Sequence, residues 1–292
     1  MLTVRAPATS ANLGSGFDVF GVALVRPGDV VRVERARETT IEITGAGAEF
    51  IPTDPADNTA GVVARELDAP ARIQIDKGIR PSSGLGSSAA SAAATAVALD
   101  ELYDRGLSDE ELVRVAAEGE AAVSGEAHAD NVAPAILGGF TIVTDDGITT
   151  LEADLSLVVC LPETVVSTRD ARGVVPDSVT MDQSVETVGN AATLVAGMAR
   201  DDPDLVGRGM ADPVVTPARA ELIDGYEAVE SAAREAGATG IAVSGSGPSV
   251  LAVCRPGDRR EVAAAMVEGF SEAGVDARAY PTEVGSGAEI YR

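Results

Sequence analysis

Hydrophobic and polar residues change places along this chain with two periods. Alternation at every second residue marks half-buried strands, and apolar residues three and four apart mark helices. On that basis strands are predicted at residues 2–5, 17–25, 30–35 and 40–44. A helix capped at Asp57 or Asn58 follows over 57–67, then a strand at 71–76. The alanine-rich run from 89 to 102 is a strong helix former. Ser108 with Glu111 makes a capping box that opens a further helix reaching 123. Residues 6–16 and 124–134 are polar and predict loops, the second carrying the chain's single histidine. Strands at 140–144 and 148–151 flank Asp145-Asp146-Gly147, a hairpin turn.

The second half opens with an apolar strand at 155–161, followed by a loop that includes 167–172. Helices are predicted at 181–200 and 218–236, the latter broken near Gly225. Strands at 240–243 and 249–254 flank Ser244-Gly245-Ser246-Gly247-Pro248, and a helix at 259–273 and a strand at 275–280 complete the order. Strand–helix–helix–strand–strand–helix–strand is a ferredoxin-like layout. The fold class predicted is α+β in two domains, 1–150 and 151–292. Neither a repeat nor a flexible linker separates them, so the halves are expected to pack closely.

The segment 81–91 carries the most chemistry. Gly84 and Gly86 permit a tight turn and close approach to a ligand. Ser87 and Ser88 offer hydroxyls and can cap the alanine-rich helix. A glycine loop opening onto a helix N-terminus presents unpaired N–H groups and a positive dipole end, which suits phosphate. The Walker pattern is absent, because Ser87 and not lysine follows Gly86. Gly84 to Ala89 does fit the dinucleotide string G-x-G-x-x-A. The surrounding order, strand–loop–helix–helix, is not the strand–helix–strand unit that string requires.

Composition narrows the setting. With 292 residues, 45% of them hydrophobic, the chain has enough apolar surface for a sizeable core. Neither a bilayer-spanning run nor a secretory leader is visible, so a soluble, cytoplasmic protein is expected. A formal net charge of -24 argues against general affinity for nucleic acid or anionic membrane. Lys77 is the only lysine, every other formal cation being arginine. An acidic, lysine-poor surface resembles proteins of salt-accumulating, halophilic microbes, where salt screens self-repulsion. Cys160 and Cys254 sit in apolar runs and are expected to pack as small hydrophobes. An anionic chain that binds phosphate needs local cations, which makes individual arginines informative.

These residues carry a family resemblance. Segment 81–91 resembles the ATP loop of the GHMP small-molecule kinases, and 244–249 resembles their C-terminal glycine motif. Ala6-Pro-Ala-Thr-Ser-Ala-Asn-Leu-Gly-Ser-Gly-Phe-Asp18 and His128-Ala-Asp-Asn-Val-Ala-Pro-Ala-Ile-Leu-Gly-Gly-Phe140 resemble the homoserine kinases within that superfamily. The resemblance implies a ribosomal-S5-like N-terminal half and a ferredoxin-like C-terminal half, with ATP in the cleft between them. It implies phosphoryl transfer from ATP to the hydroxyl of L-homoserine, giving O-phosphohomoserine for threonine biosynthesis, and a homodimer.

Carried onto this sequence, the resemblance puts the nucleotide on Pro81, Ser82, Ser83, Gly84, Leu85, Gly86, Ser87, Ser88, Ala89, Ala90, Ser91, Gly245 and Gly247. Mg²⁺ would be held by Ser88 and Glu120. Homoserine carries an amine, a carboxylate and a hydroxyl. Asp18 suits the amine, and Arg172 and Arg219 suit the carboxylate through their planar forks. Asn12, Thr168 and Asn131 suit the hydroxyl or the transferring phosphoryl, and His128 joins them from the loop of Asn131. Asp130 is read as a brace for Asn131. Where related kinases place an aspartate base this chain has Asn131, so Asn131, Thr168 and Arg172 are expected to work by alignment and charge stabilisation. A mevalonate- or shikimate-type GHMP kinase would keep both glycine loops but give Asp18 no amine to bind. A non-catalytic ligand sensor would keep the fold without turnover.

Overall fold

A computed structural model describes residues 1–125 and 127–291. Glu126, in the loop expected over 124–134, and Arg292 lie outside the described residues. The first half contains β1 (Leu2–Ala11), β2 (Phe20–Arg35), β3 (Thr40–Gly45), α1 (Thr59–Glu66) and β4 (Ala71–Lys77). It continues through α2 (Ser87–Tyr103), α3 (Asp109–Ser124), α4 (Ala129–Leu137), β5 (Phe140–Thr144) and β6 (Gly147–Leu151). The second half holds β7 (Ser156–Pro162), α5 (Thr168–Gly173), α6 (Met181–Met198), α7 (Pro203–Gly209), α8 (Val215–Ala220) and α9 (Tyr226–Glu235). It ends with β8 (Ala238–Val243), β9 (Val250–Cys254), α10 (Arg259–Glu272), β10 (Ala277–Glu283) and β11 (Glu289–Tyr291).

The second-half sheet runs β10-β7-β9-β8 and is antiparallel throughout, as the ferredoxin-like pattern requires. The first-half sheet runs β11-β1-β2-β4-β3, with β5 and β6 extending from β2. Its edge strand β11 comes from the far end of the chain: Thr3 faces Tyr291 and Arg5 faces Glu289. Strand β7 shows why the two halves are inseparable. Leu157 and Val159 point into one core shared with β1, β2 and α2, while Val158 and Cys160 point into a second core under α9 and α10. The shared core also takes Leu194 and Met198 of α6 and Val206 of α7. Cys160 and Cys254 are free thiols packed in the second core. Burial pushes Cys160 up to about 12 and Cys254 up to about 11, which keeps both neutral.

Several elements differ from the sequence expectation. Residues 6–11, expected as loop, extend β1, and the strands expected at 17–25 and 30–35 form one long β2 beginning at Phe20. The polar side chains of β1 are buried with partners: Ser244 Oγ donates to Ser10 Oγ at 2.8 Å, and Thr9 Oγ1 donates to Asn131 at 2.9 Å. The region 129–134 is helical despite Pro134. The Asp130 carbonyl that Pro134 cannot bond lies against Gly21, where a Cβ would sit 1.9 Å away. Residues 168–172 form α5 because the Ser167 side chain accepts from Asp170 N and caps it. The helix expected at 218–236 does break near Gly225 (φ 86°), but its first part, α8, starts earlier, at Val215, and ends at Ala220. Short α7 and β11 had no sequence forecast.

Candidate active site

Helix α2 is the axis of the site. Its alanines 89, 90, 92, 93, 94, 96 and 98 are buried on all sides, so small side chains let a central helix lie close to the sheet. The loop from β4 delivers the chain to its N-terminus. Gly86 occupies the N-cap position with φ 61°, so the serines do not cap but sit in the first turn. Ser87 Oγ donates to the Ile79 carbonyl at 2.9 Å. A Cβ on Gly86 would meet Thr9 Oγ1 at 2.1 Å, so only glycine lets the loop lie over β1. Ser88 Oγ donates to Glu120 Oε1 of α3.

The glycine loop 244–248 braces this one. Ser244 Oγ donates to the Gly84 carbonyl at 2.8 Å, Ser249 N to the Ser83 carbonyl at 3.2 Å, and Gly245 N to the Ala11 carbonyl at 3.1 Å. It is therefore a clasp between the halves, more than a hairpin connection.

Across the cleft lies a cluster of opposite charges built on a left-handed turn and two short helices. Asn12 (φ 73°) and Asp18 (φ 56°) both lie in the turn after β1. Asn12 Oδ1 accepts from Asp18 N at 3.0 Å, and Asn12 Nδ2 donates to the Gly245 carbonyl at 3.0 Å. Arg172 of α5 donates to Asp18 at 2.6 Å. Buried Arg219 of α8 donates to the carbonyls of Gly245 (2.7 Å) and Ala171 (3.2 Å). Both guanidinium groups lie over the Phe17 ring, at 5.1 and 5.0 Å from its centre. Phe17 was not anticipated, although an aromatic beside Asp18 in a chain with 3% aromatics was a usable signal.

Burial dominates the electrostatics. It raises the Glu120 carboxyl to about 8, opposed by the Ser88 hydrogen bond. It raises Asp130 to about 6, with the Asp18 charge adding to the rise. Burial also lowers Arg219 and Lys77, the latter opposed by its partner Asp29.

One cleft of about 290 Å³ gathers Asn12, Asp18, Pro81, Ser82, Ser83, Gly84, Gly86, Ser87, Ser88, Ser91, Glu120, His128, Asn131, Thr168, Arg172, Arg219 and Gly245. Four expected nucleotide-binding residues lie outside it. Leu85, Ala89 and Ala90 are buried in the shared core, and Gly247 packs toward Ile223 and Val243. Asp130 also lines the cleft, and its carboxylate accepts from the Asn131 side-chain amide at 3.5 Å and from the backbone N–H groups of Asn131 and Asp130. The far end of the cleft is lined by Ile43, Ile51, Pro52, Ile75 and Val123, with Asn58 and Thr59 at the start of α1.

An oxygen pair, Ser88 Oγ and Glu120, suits a hard cation such as Mg²⁺. A carboxyl raised by burial gains most from a neighbouring cation. Among the described residues no group of three or more His, Cys, Asp or Glu side chains could hold a metal by itself. No helix among the described residues is long and apolar enough to cross a membrane.

Comparisons with known proteins agree with this geometry. Residues 56–139 match the GHMP kinases N terminal domain, and residues 194–272 match the GHMP kinases C terminal family. The chain is 68% identical to the homoserine kinase of Natronomonas pharaonis over 291 residues, covering 100% of both chains. It is 70% identical to that of Halobacterium salinarum over 288 residues, 99% of this chain and 96% of the other. The crystal structure of homoserine kinase from Cytophaga hutchinsonii superposes with a TM-score of 0.91 at 36% identity, over 99% of this chain and 97% of that one. A mevalonate kinase from L. major, at 18% identity and TM-score 0.74, shares the fold.

Proposed function

Since the chain belongs to the homoserine kinases of the GHMP family, enzymes that transfer phosphate from ATP to an alcohol, we propose how its cleft divides between the two substrates. The ATP phosphates lie over the first turn of α2, on the amides of residues 84–88 and the positive end of the helix dipole. The apolar far end, Ile43, Ile51, Ile75 and Val123, takes the adenine. Ser88 and Glu120 hold Mg²⁺, which when bound neutralises charge on the phosphates.

L-Homoserine lies at the opposite end. Asp18 and Arg172 pair with each other. A bound zwitterion exchanges that pair for two new ones, its ammonium on Asp18 and its carboxylate on Arg172 and Arg219. Phe17 holds both guanidinium groups in place for this exchange. The side-chain hydroxyl then points toward Asn12, Asn131, Thr168 and His128. In the transfer, the hydroxyl oxygen bonds to the γ-phosphorus, the bond to the bridging oxygen breaks, and the hydroxyl proton leaves with the phosphoryl oxygens or solvent. Asn131 orients the hydroxyl and takes no proton. The rate comes from alignment and charge stabilisation. The product is O-phosphohomoserine, destined for threonine biosynthesis, in a cytoplasmic and halophilic setting.

The observation that carries this reading is two arginines over one aromatic ring, one of them paired with an acid, in the same cleft as the glycine loop. ADP release from Mg·ATP in molar KCl tests it, with L-homoserine beside mevalonate, shikimate and L-threonine. Turnover with homoserine alone is expected. Equal turnover with an amine-free acceptor would remove Asp18 from its role, and no turnover in folded protein would favour a ligand sensor.

A further inference from the structure

Lys77, the single lysine of the chain, ends β4 with only 4% of its surface exposed. Its ammonium group serves three acceptors: Asp29 Oδ2, the Ser87 carbonyl at 2.7 Å and Ser91 Oγ at 2.8 Å. Asp29 lies on β2 and is fully buried. Its Oδ1 accepts from Gly78 N at 3.0 Å and Ile79 N at 3.1 Å, and its Oδ2 also accepts from Ser91 Oγ at 2.9 Å. The two charged groups therefore hold both ends of the glycine loop. Asp29 holds the amides where the loop leaves β4, and Lys77 holds the carbonyl where it enters α2.

Stability alone does not explain the pair. A buried ion pair is often matched or exceeded by apolar residues of the same size. What it supplies is geometry. Three acceptors around one nitrogen suit the compact ammonium, whereas the planar guanidinium of arginine directs its donors outward in a fork. In a chain that uses arginine for every other formal cation, the three acceptors around one nitrogen favour an ammonium here. The pair is also oriented, since Lys77 lines the cleft beside Ser87, Ser88 and Ser91 and Asp29 lies behind it.

We propose that Lys77, seated on Asp29, is a positioning residue for phosphoryl transfer: it fixes the glycine loop and the first turn of α2 so that their amides face the nucleotide phosphates. This rests on the nucleotide reading above, and it acts through Ser87, Ser91 and the 78–79 amides without requiring contact with ATP.

The solitary lysine supplies its own probe. Protein labelled with ¹⁵N at the lysine side chain carries one ammonium resonance, which should shift with Mg·ADP and stay in place with L-homoserine alone. In steady state the paired substitution Lys77→Met with Asp29→Asn removes both charges and keeps an amide oxygen for Gly78 and Ile79. It should raise the KM for ATP at least about ten-fold and leave that for homoserine within about two-fold. Lys77→Arg should not restore it. Ser91→Ala, which keeps the ion pair, should raise the ATP KM about three-fold and decides the matter if the paired variant does not fold. An ammonium signal indifferent to Mg·ADP, or unchanged ATP kinetics in the folded variants, would overturn the proposal. Absence of turnover in the unmodified enzyme would instead overturn the substrate reading.

Discussion

Glu120 holds its carboxyl where charge is most expensive, fully buried on α3 against Ser88. With its value raised to about 8, it is mostly protonated at pH 7 when no cation is near. Binding of Mg·ADP at pH 7 should therefore expel up to about one proton. Calorimetry in buffers of different ionisation heat reads this, and Glu120→Gln should abolish it. The sign for stability follows. The folded value lies above the ordinary 4.5, so the stabilising contribution is complete below about 4.5 and is lost as pH rises through 8. Without nucleotide, the melting temperature of Glu120→Gln should gain on the unmodified protein between pH 5 and 8. At the other end of the cleft, Asp18→Asn keeps shape and removes the charge proposed to meet the substrate amine. Losing a charged hydrogen bond of about 1.5–3 kcal/mol raises the homoserine KM about 10- to 150-fold, with kcat largely kept. A collapse of kcat at unchanged KM would make Asp18 a base instead.

At the scale of elements, the two glycine loops act as one part. Gly84 has φ 76°, and a Cβ there would come within 2.5 Å of the Ser244 carbonyl oxygen and 2.7 Å of that of Gly247. Gly84→Ala should cost about 1–3 kcal/mol in backbone strain alone. It should both lower the melting temperature and raise the ATP KM, because the clasp and the phosphate cradle move together. This coupling explains what was legible in the sequence. The glycine turn ahead of α2, the capping box at Ser108 and the ferredoxin-like order rest on local rules of turn, cap and period, and these held, save that Gly86 and not a serine caps α2. The misread elements depend on distant partners. Residues 6–11 look like a polar loop because Thr9 and Ser10 bond to Asn131 and Ser244, more than 100 residues away in the chain. Helix α4 tolerates Pro134 only because Gly21 of β2 leaves room for the freed carbonyl. In the site, Asp18, Arg172 and Arg219 were found through resemblance, whereas Phe17, which collects both arginines, has no motif of its own.

The whole molecule carries a formal charge of -24 and has little lysine chemistry to offset it. Self-repulsion of that size is screened within about 3 Å in molar salt and over about 10 Å at a tenth of that. The melting temperature should climb steadily from dilute buffer to molar KCl. A flat response would mean that the acidic surface does not govern stability. The shared core has another effect. Leu157, Val159, Leu194, Met198 and Val206 from the second half are sealed into the same apolar mass as Leu13, Phe20 and the alanines of α2. Swinging the halves apart would open that mass to water at about 25 cal/mol for every Å². The cleft therefore has a rigid keel instead of a hinge. What is left to yield is the rim, where Arg172 of α5 and Asp18 pair while both stay partly exposed to water.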